Sequence, residues 1–305
     1  MTKVLVATDK PFAAVAVNGI RNIVETGGFQ LELLEKYTDV RQFYDAVKDV
    51  DALIVRSDKV TKEVIEAAKK LKIVVRAGAG YDNIDLDACT ARNIVAMNTP
   101  GQNSNAVAEL AIGFMIYMAR TCFTPTTGSE LNGKRLGIHA YGNVGKLVAH
   151  KALALGMKVL AFDPFVPAEM IEKDGVKVVG SAEELYANSD YLSLHIPATK
   201  ETKQSINYRL LSSMPKNACL VNTARKEVIN EQEMLKLMNE RSDFKYITDI
   251  AADINEELMK FAPRYFATPK KMGAQTNEAN INAGLAAANQ IVDFIKNGVT
   301  KYKVN

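Results

Sequence analysis

This chain has little of several things that carry chemistry or targeting in other proteins. Among its 305 residues are three cysteines, Cys89, Cys122 and Cys219, far apart and odd in number. Such spacing excludes a disulfide framework and the paired ligands of a zinc site, so no metal is expected and a reducing, cytoplasmic setting is. Histidine is equally scarce, with only His139, His150 and His195. The net charge of +3 is small, and no basic run is interleaved with aromatics. Nucleic acid is therefore not an expected partner. No apolar stretch reaches the roughly 20 residues of a membrane span. The opening MTKVLVATDK enters a strand directly, without the apolar region of a signal peptide.

What the chain does have is length enough for two domains and a regular alternation of apolar runs with helical periodicity. The expected strands are residues 3–7, 52–56, 73–77, 94–97, 135–140, 158–163, 176–179, 191–195, 218–223 and 245–250. Helical segments separate most of them, which is the pattern of parallel α/β sheets. Two long helices are expected, a mostly apolar one over 103–120 and another over 277–296. The first has more hydrophobic surface than one side should bury, which suggests a homodimer.

The stretch from Arg135 to Asp163 reads as strand, glycine turn, helix, second strand and terminal acid. Gly142 lets backbone approach a pyrophosphate, with Tyr141, Asn143 and Val144 around it, and Gly145 lets the helix pack on the strand. Asp163, about 20 residues beyond the glycines, can take both ribose hydroxyls and would repel a 2′-phosphate, so the expected cofactor is NAD. Ala140 departs from the pattern by occupying the first glycine position. With this motif mid-chain, and a late helix leading away from it, the fold expected is α/β with two Rossmann-like, doubly wound parallel-sheet domains. The NAD domain, 99–282, is inserted into a substrate domain of 1–98 and 283–305. A substrate cleft between domains is the common arrangement.

IVRSDKVT, VVRAGAGYDNIDLDA, NTPGQNSNAVAEL, the glycine turn, SLHIP and MPKNACLVNTARKEVINEQEM together resemble the D-isomer-specific 2-hydroxyacid dehydrogenases, over about residues 52 to 285. Within that family the branch acting on a phosphorylated 2-hydroxy acid looks most similar. The resemblance makes Arg225 the arginine that holds the substrate carboxylate and polarises its carbonyl, a grip that a planar guanidinium suits. Thr223 and Ala224 then line the cofactor edge, as do His195, Ile196, Pro197, Gly273 and Ala274. Asp249 matches the aspartate beside the nicotinamide. On the substrate side the matching positions are Arg56 with Ser57, Arg76, and Asn103. The Gly78-Ala79-Gly80 backbone is free to donate N–H groups to a carboxylate. Arg56 and Arg76 are the expected phosphate ligands.

The departures concern the proton. The family's histidine after a Thr-Pro is absent, and this chain reads ATPKKMGA there. Counting forward from Pro269 selects Lys270; counting back from Gly273 selects Lys271, which is favoured because the following turn fixes it. The upstream carboxylate is also displaced in TDIAADINEEL, where Asp253 is the nearest candidate partner of the lysine, ahead of Glu256 and Glu257. A lysine with an ordinary pKa of about 10.4 is a ready acid and a poor base near neutrality. Oxidation of the hydroxy acid should therefore accelerate into alkaline pH. Other expectations stay open: a reductase for glyoxylate, hydroxypyruvate or D-lactate, and an NAD-sensing protein without turnover. The chain stops soon after its last helix, so no appended regulatory domain is expected.

Overall fold

Five parallel strands, β1 (Lys3–Thr8), β2 (Gln30–Glu35), β3 (Ala52–Val55), β4 (Ile73–Arg76) and β5 (Val95–Asn98), build the first sheet of the computed structural model, which describes residues 1–305. Their order is β2-β1-β3-β4-β5. Alternate residues point to opposite faces, so each strand feeds two cores. Val4, Val6, Ile54, Ile73 and Val75 pack against helices Ala14–Thr26 and Asn277–Asn297. Leu5, Ala7, Leu53, Val55 and Val74 face the opposite layer, which includes Phe43, Val64, Ile65 and Cys89 from three short helices.

The second sheet has seven parallel strands, β6 (Arg135–His139), β7 (Lys158–Phe162), β8 (Lys177–Val178), β9 (Tyr191–Leu194), β10 (Cys219–Asn222), β11 (Lys245–Thr248) and β12 (Tyr265–Ala267), in the order β12-β11-β10-β9-β6-β7-β8. It too is covered on both faces. Leu136, Ile138, Val159, Val221 and Ile247 meet helices Ser104–Ala119 and Asn143–Ala154, while Leu160, Leu192, Leu194 and Leu220 meet the other layer. Met1–Asn103 with Gln275–Asn305 form one unit and Ser104–Ala274 the other, so the chain leaves the first unit once and returns once. No helix is long and apolar enough to cross a membrane.

Two doubly wound parallel sheets are what the periodicity predicts. The sequence reading omits β2 and β12. β2 is an edge strand, QLELLE, whose residues are mostly half-buried or exposed, and β12 has only three residues. One packing expectation is overturned. The apolar residues of helix Ser104–Ala119 are largely absorbed inside their own unit, with Ala108, Ala111, Phe114, Met115 and Met118 buried. Its exposed positions form one stripe, Asn105, Glu109, Gly113 and Ile116. Gly113 and the single large apolar side chain, Ile116, are too little to demand a partner by themselves.

Candidate functional site

In an open parallel sheet the strand ends form a crevice where the order reverses, between β6 and β9 here. Gly142 is the N-cap of helix Asn143–Ala154, and a Cβ placed on it would meet nothing within 4 Å. The first-turn amides of Asn143, Val144 and Gly145 have no intrahelical acceptor, and the positive helix end adds to their pull on an anion. A Cβ on Gly145 would lie 2.2 Å from the Ala140 carbonyl oxygen, so only glycine lets the helix sit this close. Tyr141 serves the turn differently from expectation. Its side chain is buried, with its hydroxyl 3.1 Å from Asp174, and its N–H is spent on Asp163.

Ala140 stands at φ 78°, the left-handed conformation that glycine adopts freely. For alanine this costs roughly 1–2 kcal/mol. Part of the relief on replacement is offset by the greater unfolded-state freedom of glycine, about 0.4–1 kcal/mol. Ala140→Gly is expected to raise stability by about 1 kcal/mol, read as a higher urea midpoint. An unchanged or lower midpoint would refute the strain.

Asp163 is held from two directions: Tyr141 N donates to Oδ2 at 2.7 Å and Phe165 N to Oδ1 at 2.8 Å. Each oxygen keeps lone-pair capacity for a further donor. Across the switch, His195 ends β9 with its backbone N–H on His139 O at 3.0 Å. Burial holds its imidazole down at about 3 and that of His139 at about 4, so both are neutral. His139 is also placed 3.2 Å from the Tyr186 hydroxyl. His150, exposed on the helix that Gly142 caps, lies 3.4 Å from Asp174, which Lys146 also reaches at 3.1 Å. Ile196 is buried and Pro197 exposed.

Beyond β10 the chain turns toward Arg225. Asn222 braces the turn, accepting from Ala224 N and donating to Arg225 O, both at 3.0 Å. The Ala224 carbonyl oxygen then receives two cations, Arg225 Nη1 at 3.0 Å and Lys271 Nζ at 2.8 Å. Asp249, fully buried at the end of β11, accepts from Gly273 N at 2.7 Å through Oδ2. Burial pushes its carboxyl upward, against the positive charge of Lys271, the Gly273 N–H and Arg225. A Cβ on Gly273 would come 2.8 Å from Asp249 Oδ2, so glycine is what allows that hydrogen bond. Ala274, half-buried, follows it.

Lys270 is exposed, and its carbonyl rather than its ammonium is engaged, by the Thr268 hydroxyl at 2.8 Å. Asp253 is not the partner of Lys271. Glu231 holds the Asp253 and Ile254 amides at 2.9 and 3.2 Å, and that fixes Asp253, 77% exposed, in an ion pair with Lys226. Asp249 takes the place expected for it.

Three buried polar atoms at neighbouring strand ends have no partner: His195 Nε2, Thr223 Oγ1 and Asp249 Oδ1. Buried polar atoms are normally hydrogen-bonded. Together with the open cradle at Gly142 and the poised Asp163, they fit a dinucleotide whose carboxamide and ribose need such groups. No group of three histidine, cysteine or acidic side chains is placed to hold a metal.

In the first unit the reversal falls between β2-β1 and β3. Arg56, after β3, is largely committed to structure. It donates to Lys10 O at 2.9 Å, Pro11 O at 3.2 Å and Asn280 Oδ1 at 2.6 Å, and lies over the Phe12 ring. Burial lowers its pKa from the ordinary value. In this geometry it clamps loop to helix, and the neighbouring Ser57 is exposed. Arg76 donates to Arg56 O at 3.0 Å and covers Gly78, where a Cβ would sit 1.6 Å from Nη1. Gly78 also adopts φ 148°, which side chains other than hydrogen rarely allow. The carbonyls of Gly78 and Ala79 are tied to Thr99 N and Asn98 Nδ2. The N–H groups of Gly78, Ala79 and Gly80 make no hydrogen bond in the chain. Asn103 ends this unit, half-buried. Sequence reasoning misses Asp58, a buried brace that accepts from Asp9 N and Tyr37 at 2.7 Å. Nothing in its local pattern distinguishes it from an exposed loop acid.

The family model for the D-isomer specific 2-hydroxyacid dehydrogenase NAD binding domain matches residues 117–269. A D-3-phosphoglycerate dehydrogenase of Methanocaldococcus jannaschii is 37% identical across 92% of this chain and 55% of its own length. A hydroxypyruvate reductase of Thermotoga maritima is 34% identical across 86% of this chain and 90% of its own. Among solved structures, a cofactor (NAD+)-bound 3-phosphoglycerate dehydrogenase of Entamoeba histolytica is 49% identical, with a TM-score of 0.91, over 100% of this chain and 98% of that one. The chain spans little more than half of the Methanocaldococcus protein.

Proposed function

Since the chain belongs to the D-isomer-specific 2-hydroxyacid dehydrogenases, we propose that it is an NAD-dependent D-3-phosphoglycerate dehydrogenase. It would interconvert D-3-phosphoglycerate and 3-phosphohydroxypyruvate, the entry to serine synthesis. The observation that carries the chemistry is the convergence of Arg225 and Lys271 on one carbonyl oxygen, with buried Asp249 as their counter-charge. When bound, NAD exchanges a hydride with the substrate C2. Arg225 grips the substrate carboxylate and C2 oxygen. Lys271 gives or takes the proton at that oxygen. Asp249 balances the two cations and offers its unpartnered Oδ1 to the cofactor amide. Asp163 takes the ribose hydroxyls, and the Gly142 cradle takes the pyrophosphate. Arg76 and Ser57 are assigned to the substrate phosphate, with Arg56 positioning Arg76 through its carbonyl. The free amides of residues 78–80 are assigned to a carboxylate, and Asn103 remains a proposed substrate contact.

A homodimer in the cytoplasm completes the proposal. Exposed Ile116 and Phe123 are its candidate contact, and the three free cysteines suit a reducing compartment.

The commitment of Arg56 to internal hydrogen bonds, together with the Thermotoga relative, favours a second reading, reduction of unphosphorylated hydroxypyruvate. NADH consumption with 3-phosphohydroxypyruvate and hydroxypyruvate at matched concentrations separates them. The phosphorylated acid is expected to give the higher kcat/KM by at least tenfold, about 1.4 kcal/mol. Equal or reversed preference would move the assignment to a hydroxypyruvate reductase. Tight NADH binding without turnover on either would point to a sensor.

A further inference from the structure

Asp174 gathers three donors behind the glycine turn. It follows helix Ala168–Glu172, with its N–H on Ile171 O at 3.1 Å, and Gly175 turns the chain after it at φ 79°. The Lys146 ammonium and the Tyr141 hydroxyl both reach its Oδ2 at 3.1 Å, and His150 Nε2 lies 3.4 Å from Oδ1. Against the upward pull of burial, these three partners hold its carboxyl below the ordinary carboxylate range. Lys146 and His150 stand one turn apart on the helix that Gly142 caps, and Tyr141 is the residue just before that cap. One carboxylate therefore ties the helix to the turn that precedes it.

We propose that Asp174 is a positioning residue for the cofactor, holding in place, through the Tyr141 hydroxyl, the strained turn that presents Gly142 and Asp163. This rests on the reading of Gly142 and Asp163 as the pyrophosphate and ribose groups. The turn needs a brace because Ala140 stands at φ 78°. A residue in a disfavoured conformation stays there only where its surroundings over-determine it. On one side the Ala140 N–H is fixed to Phe162 O at 3.0 Å. On the other side Tyr141 supplies the restraint. Its N–H reaches Asp163 at 2.7 Å, its ring is buried in the core that includes Val148 and Ile171, and its hydroxyl ends on Asp174. Without that last bond the far end of the ring is free, and Ala140 can relax towards negative φ. The Tyr141 N–H then leaves Asp163, and the cradle at Gly142 loses its shape before the dinucleotide arrives.

Isothermal titration of the full chain with NADH tests this. Asp174→Ala and Tyr141→Phe are each expected to raise the dissociation constant about fivefold, and the double variant no further, since both remove one link. Asp174→Asn keeps an oxygen that can accept from Tyr141 and is expected to stay within about twofold of wild type. With NADH and 3-phosphohydroxypyruvate saturating, kcat of Asp174→Ala is expected to stay within about twofold, because Arg225 and Lys271 are untouched. In an Ala140→Gly background, where the left-handed conformation is free of strain, the Asp174→Ala effect is expected to shrink below about twofold. Unchanged affinity in both single variants, additive losses in the double variant, or an equal loss with and without Ala140→Gly would overturn the brace. Each would leave Gly142 and Asp163 as cofactor groups. A wild-type chain that does not bind NADH would overturn the cofactor reading, and the brace with it.

Discussion

Lys271→Met is expected to lower kcat/KM by about 10³-fold in both directions, the usual contribution of a positioned proton donor. Lys270→Met is expected to stay within about twofold, because Lys270 is exposed and its carbonyl, not its ammonium, is what the Thr268 hydroxyl engages. The two directions should respond oppositely to pH. Reduction needs the charged lysine, the usual form of that side chain at neutrality. Oxidation needs the neutral form, so its rate in the unaltered protein should climb with a slope near one log per unit, about tenfold from pH 7 to 8. In Lys271→Met that slope disappears. The dissociation constant for NADH, measured alongside, should hardly change, which separates proton transfer from a collapsed loop. A flat oxidation profile between pH 7 and 9 in the unaltered protein would remove lysine as the base. So would a Lys271→Met enzyme that keeps a tenth of its activity.

Arg225→Gln is expected to cost about 10³-fold in kcat/KM, about 4 kcal/mol, with KM raised and kcat lowered. The turn should survive, since Asn222 fixes it through the backbone of residues 224 and 225 and not through the guanidinium. Arg225→Lys should recover little. An ammonium is a point charge and cannot span two substrate oxygens as a guanidinium does. Steady-state kinetics with NADH and 3-phosphohydroxypyruvate would measure both. Full recovery by lysine would reduce Arg225 to a general source of positive charge.

Much of this protein follows from local sequence. Strands declare themselves by apolar runs between turn residues. The strand–turn–helix around Gly142 and Gly145 is encoded within a few dozen residues, and even the anomaly at Ala140 is visible before any fold is known. Strand and helix periods of 2 and 3.6 depend only on neighbours along the chain. They are therefore enough to specify two doubly wound sheets.

Partnerships were decided by tertiary structure, because hydrogen bonds and ion pairs depend on where distant backbone is held. Asp253 looks like the lysine's acid until Glu231, on another element, pins its amide and leaves it beside Lys226. Asp249 gains that place because Gly273 can donate to it from the last loop of its unit. Arg56 reads as a phosphate ligand from its place after a strand, and only the fold shows that Asn280, from the far end of the chain, accepts from its guanidinium. The apolar surplus of helix Ser104–Ala119 vanishes into a sheet assembled from strands that follow it. Sequence spacing determined which residues reach the strand ends, whereas the long-range packing of loops determined which of them face each other.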